Sequence, residues 1–265
     1  MEKQLSPAEV KASMVDILSD IHAWCEKNGT RYFLAFGTLL GAVRHQGFIP
    51  WDDDIDIWMP RPDYDRFLNE YRHEHFQAIW AGNTPDYPLD FAKVHDSRTV
   101  VVEEGGDGNW GVFVDVFPLD GVPDEATWRK TLKRVTMVRH LVANQRFTRN
   151  FPFTKKAGLK KNLSILAGRI AHPFLSLKKL LLRENRIMKE HAWADCGHVC
   201  DYTDLKPQFF DKAIFSETVP LPFEGRSFLA PEQYDRCLTM LFGDYMTPPP
   251  PEKQVSYHGL KAYWK

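Results

Sequence analysis

The N-terminal part of the chain alternates a helical pattern, a short apolar strand and a second helical pattern. Between Ser6 and Gly29, apolar side chains recur every three or four positions, which is the spacing of one helix face. Ser6 and Glu9 have the spacing of a capping box at the start of this helix, and Gly29 is suited to end it. The apolar run Tyr32–Phe36 then predicts a strand, and Leu39–Arg44 predicts a further helical turn.

The next pattern is an acidic run that continues as a strand. Four carboxylates occupy five positions: Asp52, Asp53, Asp54 and Asp56. Ile55 and Ile57 alternate with the last two acids, and in a strand this alternation places Asp54 and Asp56 on one face. Two carboxylates on one face repel each other unless a cation lies between them, and Mg²⁺ or Mn²⁺ prefers such oxygen ligands. The pattern favours a metal-binding strand over the alternative, a solvated acidic turn.

Beyond the acidic run, the pattern predicts short strands between helices. A helix is expected at about 63–73, strands at 76–80, 91–95, 99–102 and 112–117, and a long helix at about 124–147. A hairpin is expected at 213–219 and 226–229, followed by a helix from Pro231 to Gly243. This mixture predicts an α/β (α+β) fold, with a mixed sheet flanked by helices.

Two charged residues interrupt the predicted strands. Asp115 lies within 112–117, and a buried carboxylate is destabilising unless a cation or a hydrogen bond compensates it. It is interpreted as a third metal-binding acid, with a structural aspartate as the alternative. Lys93 has two equal interpretations: a phosphate contact beside the acidic run, or an edge-strand lysine that faces solvent. Asp120 is interpreted as a turn residue.

Gly37 and Thr38 join the first predicted strand to the helix that follows it. A strand, small residues and a helix N-terminus commonly bring backbone N–H groups towards a phosphate, and glycine leaves room for close approach. Followed by the paired acids, this order is typical of a nucleotidyltransferase-type site. The residues alone predict metal-dependent phosphate chemistry.

Two segments carry a family resemblance. GTLLGAVRHQGFIPWDDDIDI, residues 37–57, resembles the signature of the LicD family, the phosphocholine transferases of bacterial surface glycans. Fukutin and fukutin-related protein are distant relatives of that family. PFEGRSFLAPEQYDRCLTMLFGDYMTPPP, residues 222–250, resembles the C-terminal signature of the same family. The resemblance is weakest between about residues 145 and 205.

The resemblance implies a fold, a reaction and a set of site residues. The fold is a nucleotidyltransferase-like mixed sheet. The reaction is Mg²⁺-dependent transfer of phosphocholine, or another phospho-alcohol, from CDP-choline or another CDP-alcohol to a hydroxyl of a glycan or lipid-linked glycan. The expected catalytic and metal-binding residues are Asp54, Asp56 and Asp115, with Asp52 as a further metal candidate. The expected nucleotide- and phosphate-binding residues are Gly37, Thr38, Arg44 and Lys93.

Two other functions stay open. A nucleotidyltransferase that moves NMP to a sugar or protein would use the same metal site. A non-catalytic nucleotide- or glycan-binding protein is the alternative of another class, against which the complete set of acids argues. A transferred choline would also need an aromatic box for its quaternary ammonium. The sequence does not choose among the tryptophans considered for it, Trp51, Trp58, Trp80 and Trp110.

Residues 146–190 form what we term the basic segment. It holds twelve lysines and arginines against two glutamates, whereas the whole chain has a formal net charge of −1. Its apolar spacing predicts two amphipathic helices that break near His172-Pro173. Its leucines are interpreted as a helical cover of the sheet. Its charges are consistent with solvent exposure or with peripheral contact with a membrane or an anionic glycan.

Composition sets the remaining expectations. The near-zero net charge argues against nucleic-acid binding, no signal peptide is visible, and no apolar run is long enough to span a bilayer. The alternation of Cys196, His198 and Cys200 favours a buried strand over a zinc site. We expect a cytoplasmic protein, at the inner face of the membrane if the basic segment binds there. One catalytic domain, 1–265, is expected, with its core at about 30–120, the insertion at about 146–190 and a C-terminal helix and proline-rich tail at 231–265.

Overall fold

The computed structural model describes residues 3–102, 110–148, 163, 166, 176–255 and 261–265. The helices are α1 (Pro7–Asn28), α2 (Phe36–His45), α3 (Arg61–Glu70), α4 (Glu125–Thr148), α5 (Leu177–Met188) and α6 (Tyr234–Phe242). The strands are β1 (Phe33–Leu34), β2 (Asp56–Pro60), β3 (Phe76–Ile79), β4 (Ala92–Asp96), β5 (Thr99–Val102), β6 (Phe113–Val122), β7 (His198–Cys200), β8 (Phe210–Asp211), β9 (Thr218–Phe223), β10 (Arg226–Pro231) and β11 (Lys261–Trp264). The sequence pattern predicted these elements except β8 and β11. The strand predicted from residue 213 begins only at residue 218, because residues 212–215 form a short 3-10 helix.

α1 begins and ends as predicted. The Ser6 hydroxyl oxygen accepts a hydrogen bond from the Glu9 backbone N–H at 3.2 Å, and the Glu9 carboxylate accepts one from the Ser6 backbone N–H at 2.7 Å. This is the predicted capping box. Gly29 ends the helix with a φ of 62°, a left-handed conformation that glycine adopts readily.

A seven-stranded sheet forms the centre of the molecule. Its order is β1-β2-β6-β4-β3, and β7 and β8 extend it beside the end of β6. β2 and β6 are parallel, and the other neighbouring pairs are antiparallel. The predicted mixed α/β fold is therefore confirmed. In this register Asp56 is opposite Asp115, and Asp115 is opposite Lys93, so the topology places three distant residues in one row.

Helices cover both faces of the sheet. Side chains alternate along β6, so Phe113 and Val114 point to opposite faces. Val114 belongs to the larger core cluster, which includes the buried face of α1. Phe113 belongs to a second cluster, to which α4 contributes Val138 and α5 contributes Leu181. The apolar face of α5 thus covers the sheet, as predicted for its leucines. Leu163 and Leu166, in the first predicted helix of the basic segment, are instead exposed.

The basic segment lies only partly within the described residues. The second of its two predicted helices is confirmed as α5. Lys178 donates a hydrogen bond to the Gly82 carbonyl oxygen at 3.0 Å, and Lys189 donates one to Asp65 at 2.9 Å. These two charges therefore bind the protein itself. The first predicted helix lies, except for residues 163 and 166, outside the described residues, and contact with a membrane or glycan stays a prediction.

The interpretation of Asp120 as a turn residue is wrong. β6 continues to Val122, so Asp120 lies inside a strand, where its side chain is fully buried. Arg61, at the start of α3, donates hydrogen bonds to the two carboxylate oxygens of Asp120 at 2.6 and 2.8 Å. Arg61 also donates a hydrogen bond to Asn185 of α5 at 3.2 Å. This buried ion pair connects the sheet to both helices.

The C-terminal end forms a strand that the proline-rich sequence before it did not indicate. β11 pairs with β5 in antiparallel orientation. The Trp264 N–H donates to the Lys3 carbonyl oxygen at 3.0 Å, and the Leu5 N–H donates to the Ala262 carbonyl oxygen at 2.8 Å. The N-terminal and C-terminal segments therefore meet beside β5.

The cysteines are free and buried: Cys25, Cys196, Cys200 and Cys237. The strand predicted for the alternation of Cys196, His198 and Cys200 is confirmed as β7, which begins only at His198, so Cys196 lies two residues before it. No helix in the described ranges combines the length and the hydropathy needed to cross a bilayer.

Candidate active site

The first turn of α2 holds the start of β2. Thr38 is buried, and its Oγ1 accepts a hydrogen bond from the backbone N–H of Asp56 at 2.9 Å. The Ala35 N–H donates to the Asp56 carbonyl oxygen at 3.0 Å. The backbone of Asp56 is therefore fixed from both sides of its peptide unit. The expected contact of Thr38 with a phosphate stays a prediction.

Asp56, Asp115 and Lys93 form what we term the charged row, across β2, β6 and β4. The Lys93 Nζ lies 2.5 Å from Oδ1 of Asp115 and 3.4 Å from the centre of the Phe113 ring. Lys93 is 5% exposed and Asp115 is 8% exposed. Because β4 lies between β6 and β3, the alternative of an edge-strand lysine that faces solvent is wrong. The charged row places a buried ammonium group beside the predicted metal-binding acids.

Carboxylates crowd around Asp56. Burial and then the charges of Asp54, Asp115 and Asp52 raise the pKa of Asp56 well above its ordinary value, against the opposing effect of Lys93. Because β2 begins at Asp56, the prediction of a strand already at Asp54 is wrong by two residues. Asp52 and Asp54 instead approach from the preceding loop. Such an accumulation of negative charge is favourable for binding a cation.

Both glycines in α2 are in close contact with protein atoms. A Cβ atom added to Gly37 would lie 2.4 Å from Oδ2 of Asp52, so this carboxylate lies against the first turn of the helix. Helix N-termini attract anions, and Asp52 supplies one here. A Cβ atom added to Gly41 would lie 2.4 Å from the carbonyl oxygen of Gly47. Contact of Gly37 with a phosphate stays a prediction. A phosphate bound at this helix N-terminus would lie next to the Asp52 carboxylate.

Arg44 lies at the other end of α2, in its last turn. Its Nη1 donates a hydrogen bond to the Tyr245 carbonyl oxygen at 2.9 Å, and its Nε lies 3.5 Å from Nδ1 of His45. The hydrogen bonds of Arg44 thus connect α2 to the segment after α6. Its contact with a substrate phosphate stays a prediction.

Glu224, which the sequence analysis did not single out, holds the loop that leads to the acids. It lies in the turn between β9 and β10, with a φ of 51°. Its Oε1 accepts a hydrogen bond from the Phe48 N–H at 3.1 Å, and its own N–H donates to the Gln46 carbonyl oxygen at 3.0 Å. A Cβ atom added to Gly47 would lie 2.3 Å from the same Oε1, so a glycine here lets the carboxylate approach. The two segments that carry the family resemblance are therefore in direct contact.

Replacing Glu224 with alanine is expected to lower kcat/KM roughly tenfold, because losing about 1.5 kcal/mol from a hydrogen bond to a charged group corresponds to that factor. Glu224→Gln keeps an acceptor oxygen and should restore most of the rate. Glu217→Ala, which removes an exposed glutamate at the other end of the hairpin, is the matched control. Steady-state kinetics, with thermal unfolding measured in parallel, tests the prediction. An alanine variant as active as wild type would rule out a positioning role.

Two of the four tryptophans considered for an aromatic box are buried. Trp58 is fully buried, and its Nε1 donates a hydrogen bond to Asp201 at 3.0 Å. Trp110 is 9% exposed and packs against Tyr87, with ring centroids 5.8 Å apart. Trp51 and Trp80 are partly exposed. A box formed by exposed faces of all four tryptophans is therefore excluded.

The acids fit a hard divalent cation that also binds substrate. Within the described part of the chain, no three His, Cys, Asp or Glu side chains are arranged as a preformed metal site. Mg²⁺, however, commonly binds through one or two carboxylates together with substrate phosphates. The carboxylates around Asp56 are a donor set of that kind. Binding of Mg²⁺ or Mn²⁺ stays a prediction.

Similarity to known proteins shows the family to which this chain belongs. The family described as LicD/FKTN/FKRP, nucleotidyltransferase domain, matches residues 29–160, which include the charged row. The chain is 33% identical to the lipopolysaccharide cholinephosphotransferase LicD of Haemophilus influenzae over 273 aligned residues, covering 98% of this chain and 99% of that protein. It is 29% identical to the human ribitol 5-phosphate transferase FKRP over 129 residues, covering 44% of this chain and 23% of that protein. The resemblance seen in the sequence is thus confirmed, and the chain belongs to the LicD/FKTN/FKRP family.

Proposed function

We propose that this protein transfers phosphocholine from CDP-choline to a hydroxyl group of a lipopolysaccharide glycan. The observation that carries the proposal is the likeness to the Haemophilus influenzae cholinephosphotransferase along 98% of the chain. The similarity to a ribitol 5-phosphate transferase supports the wider reaction class, transfer of an alcohol phosphate. The charged row supports phosphate chemistry at this site.

In the proposed reaction, the oxygen of the acceptor hydroxyl attacks the phosphorus that carries choline. A new P–O bond to the glycan forms while the bond to the CMP oxygen breaks, and CMP leaves. The hydroxyl proton passes to a carboxylate of the site, either Asp115 or one that holds no metal ion. No oxidant or reductant is required.

Asp54, Asp56 and Asp115 would hold Mg²⁺ or Mn²⁺, with Asp52 as a further ligand. When bound, the ion supplies positive charge that neutralises the pyrophosphate and the departing CMP. Lys93 provides a second positive charge for the donor phosphates, as a compact ammonium group. Its contacts with Asp115 and the Phe113 ring fix this ammonium group in place.

The acceptor is proposed to reach the site as a glycan or a lipid-linked glycan, on the cytoplasmic side of the membrane. The basic segment is the proposed contact with the anionic surface that carries this acceptor. Of its charges, those at 149–161 and that of Arg169 lie outside the described residues.

The destination of a labelled phosphate separates this reaction from its closest alternative. With ³²P in the phosphate next to choline, we expect the label in the glycan. With ³²P next to cytidine, we expect it in CMP. Label that reaches the glycan only from the cytidine-side phosphate would replace phosphocholine transfer with nucleotidyl transfer. Binding of CDP-choline without any product would instead support a non-catalytic binding protein.

A further inference from the structure

A row of aromatic rings lies directly beside the charged row on the same face of the sheet. This aromatic row consists of Trp58, Phe117 and Phe91, each two positions from a member of the charged row. Trp58 is opposite Phe117 in the β2–β6 register, and the ring centroids of Phe91 and Phe117 are 4.4 Å apart. Two positions along a strand return to the same face after about 6.6 Å. The two rows are therefore neighbours.

Phe36 covers the aromatic row. The centroid of its ring lies 4.6 Å from that of Trp58 and 5.5 Å from that of Phe117, in edge-to-face arrangements. Its φ is 41°, in a region that a bulky residue rarely adopts. Residues held in such conformations cluster at ligand-binding sites. The backbone thus accepts an unfavourable conformation that brings this ring beside the charged row.

Two of these four rings keep access to solvent. Phe36 and Phe91 are half-buried, whereas Phe117, which is 9% exposed, and the fully buried Trp58 form the floor beneath them. The Lys93 Nζ lies 5.5 Å from the centre of the Phe91 ring. The neighbouring charges are nevertheless mainly negative, because three carboxylates act on Asp56 beside this one lysine. Accessible aromatic faces next to an excess of negative charge are suited to an organic cation.

We propose that Phe36 and Phe91 bind the quaternary ammonium group of the donor through cation–π contacts, above the floor formed by Phe117 and Trp58. The inference rests on the proposed function. In CDP-choline, a two-carbon chain joins the ammonium group to the phosphate that is attacked. A phosphate on the charged row therefore leaves the ammonium group within reach of the adjacent aromatic row. The cytosine ring is separated from that phosphate by a second phosphate and a ribose, so it lies farther away.

The test compares two donors that differ at one atom. CDP-3,3-dimethylbutanol has a carbon in place of the choline nitrogen and carries no positive charge there. By titration calorimetry with Mg²⁺ and no acceptor, the wild-type protein is expected to bind CDP-choline roughly tenfold more tightly than this neutral analogue. Phe36→Leu and, separately, Phe91→Leu are expected to bring this ratio close to one while leaving the affinities for the analogue and for CMP nearly unchanged. Phe209→Leu, which alters a ring stacked on His198, should keep the wild-type ratio.

Equal affinity of the wild-type protein for the two donors would overturn the inference. An equal loss of affinity for both donors and CMP in Phe91→Leu would place the cytosine ring on these side chains and would also overturn it. If Phe36→Leu does not fold, Phe91→Leu decides the question. The affinity ratio needs no turnover, so the labelled-phosphate experiment and this one fail independently.

Discussion

Replacing Asp56 with asparagine is expected to abolish phosphocholine transfer while leaving the protein folded. The loss should be at least about 10³-fold, as is typical when one charge-stabilising group is removed from a phosphoryl-transfer site. Asparagine keeps the backbone N–H that Thr38 binds, so the start of β2 should stay in place. Without a divalent cation, the free energy of unfolding should equal or exceed that of wild type, because repulsion from Asp54 and Asp115 is relieved.

The measurements are the transfer rate at saturating CDP-choline and Mg²⁺, and thermal unfolding in EDTA. Asp54→Asn should behave as Asp56→Asn does. Asp115→Asn should also abolish transfer, but it should lower the free energy of unfolding, because it leaves the buried Lys93 without its carboxylate. The matched control is Asp53→Asn, the same substitution within the same acidic run, which should keep a rate close to that of wild type. Full activity of Asp56→Asn, or of the wild-type protein in EDTA, would remove the metal-binding assignment.

Replacing Asp120 with asparagine is expected to lower the free energy of unfolding by about 3–5 kcal/mol, which is the usual effect of removing one partner from a buried ion pair. The Arg61 side chain is 7% exposed and that of Asp120 is not exposed at all. The variant therefore leaves a buried guanidinium group without its carboxylate. The connection from β6 to α3 and α5 should weaken with it, since Arg61 also binds Asn185.

Urea unfolding of two further variants separates the effect of charge from that of packing. Arg61→Met combined with Asp120→Leu should recover most of the lost stability, because paired apolar side chains avoid the penalty of a buried charge. Glu70→Gln, in the Arg66–Glu70 pair, should change the free energy of unfolding by less than about 1 kcal/mol, because both side chains of this pair are about half exposed. An effect of Asp120→Asn as small as that of Glu70→Gln would show that the buried pair does not stabilise the fold.

The features predicted correctly from the sequence are those that depend on neighbouring residues. A capping box needs only Ser6 and Glu9, and the alternation around Asp115 needs only one strand. Within β2, the period of a strand puts Trp58 on the same face as Asp56. This local pattern could not show that Phe36 covers Trp58. The sequence analysis therefore considered only tryptophans for the aromatic box. The accessible rings next to the acids are instead phenylalanines.

The features that the sequence did not reveal depend on partners far away in the chain. Asp120 resembles a turn residue until Arg61 lies beside it, 59 positions earlier. β11 has no strand signal beyond a few aromatic residues, and its pairing with β5 provides the missing stability. The turn at Glu224 indicates a hairpin, but nothing local in it indicates Phe48. In each case a tertiary contact determines the local structure, and the neighbouring residues in the sequence do not indicate that contact.

The contact between Glu224 and Phe48 also has a consequence for folding during synthesis, because its two residues are made at different times. The two residues are 176 positions apart. At the usual rate of translation, the loop that leads to the acids leaves the ribosome roughly 9–35 s before its anchor has been made. β11, which completes the pairing of β5, is made later still. A chain released early would contain every acid of the site and yet lack the contact that holds them in position. We therefore expect full activity only after the hairpin that carries Glu224 has been made.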